Sequence, residues 1–350
     1  MYFEFREVSM KKYQSILKMA LVYLCLNQCL LFAQESDSLV TPPQSLKIAV
    51  LQAGRIFCRS NPGLESNFNL YDSLAREAAK AAPDLIVFPE YAISGWPYPA
   101  EKIMNSLAES IPGDGYWYQR YIKLVEAIRT PVLGWLVDKD SSGHLYNASF
   151  LLDENAKFIA KYRKVHANLG EQIWWGWSQG ESFNPLPFKG MKLGISICAD
   201  MWYPETVMCE DLLGADVIIH QSIADDMMHL MPARASDSHI PIVCAIFQGG
   251  SYAVNQDGKL LGKCSTNFSE WRIFEVRLNE VEISNKYGGL WYTDKGRLNI
   301  RNVEAYRILV DPSTRPPWTQ IFLDKNGNPQ TKEELLRRFN GRYDANDPEN

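Results

Sequence analysis

Apolar residues in this chain gather in short runs that alternate with stretches of helical period. Residues 46–53 (LKIAVLQA) form an apolar run of strand length, and after a loop ESNFNLYDSLAREAAKAA spaces its apolar side chains along one helix face. DLIVFPE at 84–90 is a second apolar run. The pattern returns in TPVLGWLVD, KLGISICAD, DVIIHQS and IPIVCAIF, with helical segments such as ETVMCEDLLGA between several of them. Repeated strand and helix predict an α/β protein. Two hairpins are predicted as well, one turning at Asp153-Glu154-Asn155 and one at Asp257-Gly258, so the sheets are expected to be mixed. No repeat, low-complexity block or linker interrupts residues 46–280, which predicts a single domain over 46–310. After Pro312 the chain turns polar and proline-rich, with one helical candidate, TKEELLRRF; 311–350 is expected to be a surface-wrapping or partly disordered tail.

The N-terminus breaks the pattern. From Met10 the chain reads MKKYQSILKMALVYLCLNQCLLFAQ, with Lys11, Lys12 and Lys18 ahead of an apolar stretch that ends in Phe32-Ala33-Gln34. This predicts a signal peptide over 1–33, starting at Met10 and cleaved after Ala33, then a linker over 34–45. The alternative is a membrane anchor, but Asn27 and Gln28 interrupt the stretch, which is short of the ~20 residues a span needs. A lipid on Cys25 or Cys29 fits less well, because Leu24 and Gln28 are poor residues to precede a modified cysteine. The mature chain is therefore expected to be exported, to a periplasm or out of the cell.

Composition narrows the function class. The 350 residues, 46% of them hydrophobic, can bury a large core. A net charge of -5 without basic blocks argues against nucleic acid and for small molecules or peptides as partners. Without Cys25 and Cys29, the remaining Cys58, Cys198, Cys209, Cys244 and Cys264 are too sparse for a disulfide framework, and their odd number leaves a thiol unpaired. His166, His220, His229 and His239 lack ligand spacing, so no metal is expected. Asn147-Ala148-Ser149 and Asn267-Phe268-Ser269 match glycosylation sequons.

Three residues stand where chemistry gathers. Cys198 follows an apolar strand and precedes Pro204-Glu205-Thr206, which reads as the first turn of a helix; N–H groups there favour a thiolate or an oxyanion. Alone, a free cysteine is most often a small core hydrophobe, and the other cysteines are read so. Glu90 ends DLIVFPE at a strand's carboxyl edge, where α/β proteins collect catalytic groups; by itself it would be a cap or an exposed acid. In FIAKYRKVHANLGE, alternation sends Ala160, Tyr162 and Lys164 to one side and Ile159, Lys161 and Arg163 to the other, and Lys164 alone would read as a surface lysine.

The order of the three changes their weight. FPE at a strand end, K-x-H after a hairpin and the cysteine elbow GISICADMWYPE together resemble the nitrilase superfamily of carbon-nitrogen hydrolases, over residues 46–310. The resemblance implies a four-layer α-β-β-α sandwich with two mixed sheets and a Glu-Lys-Cys triad at Glu90, Lys164 and Cys198. It places the family's second glutamate at Glu171, and Arg301 and Tyr306 resemble a late family element. It implies that Glu90 takes the thiol proton, Cys198 attacks a carbonyl carbon, and Lys164 with the Ala199 backbone N–H holds the oxyanion. No metal or organic cofactor is implied. Ala199-Asp200 after the cysteine, where nitrile-cleaving relatives carry Trp-Glu, resembles the amidases, so the expected substrate is a small linear amide or carbamoyl compound. Acyl transfer through the same thioester, nitrile hydrolysis and a non-catalytic binding module are the alternatives. A homodimer or larger assembly is the family's default. Trp96, Trp174, Trp175, Trp177, Trp202 and Tyr203 follow the catalytic motifs; they are candidates to line an acyl pocket, to pack under loops or to meet a second subunit.

Overall fold

The computed structural model describes residues 45–53, 61–95, 101–224, 228–266, 268–278 and 302–309. The expected leader (1–33), the linker up to residue 44, Cys58, Trp96, Asn267, Arg301 and the tail (311–350) lie outside the described residues.

Strand β1 (Ser45–Gln52) pairs in parallel with β2 (Leu85–Val87), and β2 with β4 (Val132–Lys139). The short β3 (Ala108–Glu109) lies parallel to β4, off the main path. The hairpin of β5 (Leu145–Leu152) and β6 (Phe158–Arg163) extends the sheet antiparallel, and β13 (Glu270–Arg277) closes the other edge against β1. Its turn is the expected one: Asp153 accepts from Ala156 N and donates its own N–H to Lys157 O, each at 3.0 Å. The second sheet runs β12 (Leu260–Lys263), β11 (Tyr252–Val254), β10 (Ile242–Ile246), β9 (Val217–Ser222), β8 (Met191–Ile197), β7 (Leu186–Phe188), with β8, β9 and β10 parallel and the rest antiparallel. Both sheets are mixed.

Helices cover the outer faces. α1 (Asn61–Ala79), α2 (Glu101–Asn105) and α3 (Tyr116–Ile128) belong to the first half of the chain. α4 (Leu169–Trp174), α5 (Pro204–Leu212) and α6 (Met231–Ser238) belong to the second. The parallel strands read as continuous apolar runs because both of their faces are buried. Ala49 and Leu51 of β1 pack with Phe68, Tyr71 and Tyr121 of α1 and α3, whereas Leu46, Ile48 and Val50 point between the sheets at Ile195, Ile219 and Val243. Ile218 of β9 points the other way, to Val207 of α5 and to Met231 and Ala235 of α6. Three apolar layers thus alternate with four layers of secondary structure, the α-β-β-α sandwich expected above. Each fully buried Leu, Ile or Val in them contributes about 1.5–3 kcal/mol.

Two polar insertions interrupt this packing. Gln221, at the end of β9, crosses to the first sheet, donating to the Phe88 carbonyl and accepting from the Ser149 hydroxyl. It ties the sheets together two residues from Glu90. Between β8 and α5, Glu210 is fully buried; its Oε1 accepts from Ile195 N at 3.4 Å, and its Oε2 has no partner among the described residues. Burial pushes the Glu210 carboxyl up to about 8, against weak relief from the Ile195 N–H. On the same strand Ser196 meets His220 Nδ1 at 2.9 Å, and burial drives that imidazole down to about 3, so it stays neutral.

A glutamate whose folded pKa lies above its unfolded value withdraws stability as pH rises between the two, here from about 4.5 to about 8. Glu210→Gln removes that slope. Relative to wild type, its Tm is expected to be higher at pH 8 than at pH 5 by roughly 5 °C, measured by differential scanning calorimetry.

Candidate active site

The carboxyl ends of β2, β8 and β9, the end of β6 and the start of β5 meet on one edge of the sandwich. β2 delivers Glu90, and the register of β5 against β6 brings Lys164 beside Asn147, whose carbonyl accepts the Lys164 N–H at 2.8 Å. Glu171 arrives on α4. Asn168 caps that helix: its Oδ1 accepts from Glu171 N at 2.9 Å, while Glu171 Oε2 accepts from Asn168 N at 2.6 Å. The cap fixes the glutamate and leaves Oε1 pointing at the lysine.

Lys164 Nζ donates to Glu90 Oε1 at 3.1 Å and to Glu171 Oε1 at 2.9 Å, and all three side chains have no exposure to solvent. The Asn147 amide donates to the same two oxygens. Tyr91 donates its hydroxyl to Glu171 Oε1 at 2.8 Å, and Ile223 N donates to Glu90 Oε2 at 3.1 Å. Burial raises the Glu90 carboxyl to about 7; Glu171 adds to the rise, and Lys164 and Asn147 oppose it. For Lys164 burial acts downward, but the two glutamates outweigh it and hold the ammonium well above its ordinary range. The cluster carries two acids and one permanent cation.

Cys198 follows β8 on one turn of 3-10 helix (Cys198–Trp202), with φ of 44°. A non-glycine residue in this left-handed region costs about 1–3 kcal/mol, which the surroundings must hold in place. Asp200 does so: it accepts from Ile197 N at 2.9 Å, Tyr162 Oη at 2.9 Å and His166 N at 2.8 Å. Cys198 keeps some exposure while the cluster behind it has none. Burial and the two carboxylates push its thiol well above its usual range, with Lys164 and a hydrogen bond from Ser222 acting the other way. The resting sulfur is a thiol. A nucleophile in that state needs a base as it attacks, and a carboxyl at about 7 is suited to be one.

A profile of the family described as carbon-nitrogen hydrolase matches residues 47–284. The chain belongs to the carbon-nitrogen hydrolase family. It is thus a nitrilase-superfamily enzyme that hydrolyses carbon–nitrogen bonds other than peptide bonds. A protein named nitrilase from Pyrococcus abyssi is 26% identical over 211 residues, 59% of this chain and 79% of its own length. An (R)-stereoselective amidase from a Pseudomonas species is 29% identical over 217 residues, 56% of this chain and 75% of its own. The crystal structure of a carbon-nitrogen hydrolase from Helicobacter pylori superimposes with a TM-score of 0.63 at 19% identity, covering 77% of this chain and 99% of that one.

In this hydrolase the structure brings Glu90, Lys164, Glu171 and Cys198 together. Ala199 is the second residue of the 3-10 turn, so its N–H has no acceptor within the turn. The aromatic candidates divide. Trp175 and Trp177 are buried, packed on each other at 4.8 Å and against Tyr91, with the Trp177 indole donating to Asn105. Trp174 is half-buried, its ring lying where a Gly170 Cβ would sit. Trp202 and Tyr203 are exposed, and Tyr203 stacks on His166 at 3.9 Å. Tyr306 lies in a separate 3-10 turn (Val303–Leu309) beside α5 and α6. Among the described residues no group of His, Cys, Asp and Glu could hold a metal.

Asn147, Tyr91, Ser222 and the Ile223 N–H had no signal in their own motifs. Asn147 in particular matches a sequon, yet it is 1% exposed and engaged inside the sheet, so it cannot be an acceptor in the folded protein. The readable clue was an asparagine in an apolar strand, opposite the lysine across a hairpin.

Lys164→Met leaves two carboxylates in a dry site without a cation. A stability loss of about 3–5 kcal/mol is expected from denaturant unfolding, and adding Glu171→Gln is expected to restore part of it.

Proposed function

We propose that this hydrolase is an amidase that cleaves a small linear carboxamide or carbamoyl compound through a thioester on Cys198. The observation that carries this is the convergence of a protonated, partly exposed thiol, a carboxyl at about 7 and a buried ammonium at one sheet edge. Among the described residues Glu90 Oε2 accepts the Ile223 N–H alone, which leaves it capacity for a proton. As sulfur bonds to the carbonyl carbon, the thiol proton passes to Glu90. Negative charge develops on the substrate oxygen, where the third Lys164 N–H and the Ala199 N–H stabilise it. The C–N bond then breaks, the Glu90 proton moves to the departing nitrogen, and ammonia or an amine leaves. Water attacks the thioester as Glu90 takes its proton, and when the C–S bond breaks Glu90 returns that proton to sulfur, releasing the acid and restoring both the thiol and the carboxylate.

Supporting amides over nitriles is Asp200, whose carboxylate is fully used in tying the cysteine turn to Tyr162 and His166. A glutamate there, one methylene longer, would have to displace those donors. Trp202 and Tyr203, exposed four and five residues after Cys198, are the aromatics that would meet an apolar acyl group.

Intact-protein mass spectrometry with a panel of aliphatic, aromatic and carbamoyl amides is expected to show a transient acyl adduct, absent in Cys198→Ala. Once a substrate is found, kcat/KM is expected to fall below about pH 7 as Glu90 gains its proton, and Glu90→Gln to lower kcat by about 100- to 10,000-fold. Full turnover by Cys198→Ala would overturn the thioester.

A further inference from the structure

Two carboxylates on one ammonium need something to give them different work. Asn147 is placed to do so. Its two amide hydrogens go to Glu90 Oε1, at 2.8 Å, and to Glu171 Oε1, the same two oxygens that Lys164 holds. Its Oδ1 accepts from the Trp135 indole N–H at 2.6 Å. An indole nitrogen is a donor only, so it dictates which end of the amide faces it. Were the amide turned over, Oδ1 would face two carboxylate oxygens and the NH2 would face another N–H.

Trp135 is itself held. It lies on β4, has no exposure, and meets the edge of Tyr91 at 5.0 Å and 78°. Tyr91 in turn donates to Glu171. Glu171 therefore receives Lys164, Asn147 and Tyr91 on one oxygen and Asn168 N on the other, and is committed to holding. Glu90 receives Lys164 and Asn147 on Oε1 and a single N–H on Oε2.

We propose that Asn147, locked in one orientation by the Trp135 indole, is a positioning residue of the reaction: it keeps Glu90 and Glu171 side by side on Lys164 and sets the pH at which Glu90 becomes able to take the thiol proton. The proposal rests on Glu90 being the base. The charged and titratable groups facing Glu90 are Lys164 from the end of β6, Glu171 from α4 and Cys198 from the turn after β8, with Asp200 acting on Lys164 from the same turn. Asn147 is a neutral side-chain donor among them, beside the Ile223 backbone N–H. Its loss disfavours the charged form of Glu90, so a higher pH is needed to ionise it.

The test is the rate of Cys198 alkylation by iodoacetamide against pH, read by peptide mass spectrometry on the full chain, which needs no known substrate. In wild type the rate is expected to rise through about pH 7 in a step that Glu90→Gln abolishes. Trp135→Phe removes the indole N–H and keeps a ring; Asn147→Ala removes the amide. Each is expected to move the midpoint of that step up by about one pH unit. The double variant is expected to move it no further than Asn147→Ala alone. A purely structural role would slow alkylation at every pH and leave the midpoint in place, and that result in folded variants overturns the proposal. If Trp135→Phe does not fold, Asn147→Ala decides by the same criterion. If the wild-type step does not depend on Glu90, the base assignment fails and this proposal falls with it.

Discussion

Lys164 brings one positive charge into a site shut off from solvent, and Glu90 and Glu171 share it. Buried charges persist only when paired and fully hydrogen-bonded, and this pairing is unequal by one charge. Much of the nearby structure answers that inequality. The capping box at Asn168, the Tyr91 hydroxyl, the Asn147 amide and the Ile223 N–H all add donors to the acids, so that the excess charge is spread over neutral groups. Burial, with the second carboxylate adding to it against the pull of Lys164, lifts Glu90 to about 7, which is the property that acid–base chemistry needs.

The sandwich makes this arrangement rigid. Glu90, Asn147 and Lys164 belong to or adjoin strands of one sheet, and Cys198 and Ser222 end strands of the other. The site therefore sits on the seam between the sheets, and Gln221 fastens that seam beside it. Cys198 on one wall and Glu90 on the other, the proposed nucleophile and base, can hold their spacing only if the apolar layer between the sheets is filled. Ile195, Ile197, Val217 and Ile219 fill it from one side, and Ile48, Val50, Val87 and Leu133 from the other.

Much of this was readable in the chain. Apolar runs in β1, β2, β8, β9 and β10 announced strands, and alternation in β6 divided Tyr162 and Lys164 from Lys161 and Arg163; only the structure shows that the first pair is the buried one, so that Lys164 is no surface lysine, and that the second pair holds Asp138. Glu90 ended one apolar run, Cys198 followed another, and Lys164 closed the alternating stretch. What stayed hidden were groups whose partners lie far along the chain. Asn147 meets Glu90 across 57 positions and Ile223 meets it across 133, and no local spacing encodes either contact. Glu210 was silent for a related reason: it reads as a helix-surface acid in ETVMCEDLLGA, and only the docking of α5 on β8 turns it inward.

The attachment of these side chains to core strands bears on how the enzyme loses its shape. Proteins open in cooperative units, and sites carried on weakly held lids can melt while the remainder stays folded. Here Glu90, Asn147, Lys164 and Cys198 stand within a residue or a few of hydrogen-bonded ladders whose flanks are buried. Fraying confined to the outer helices leaves these four anchor points in place, whereas parting the two sheets separates Glu90 from Cys198; the strand-borne part of the site therefore shares the stability of the sheets, and Glu171, carried on α4, is its one member held outside them.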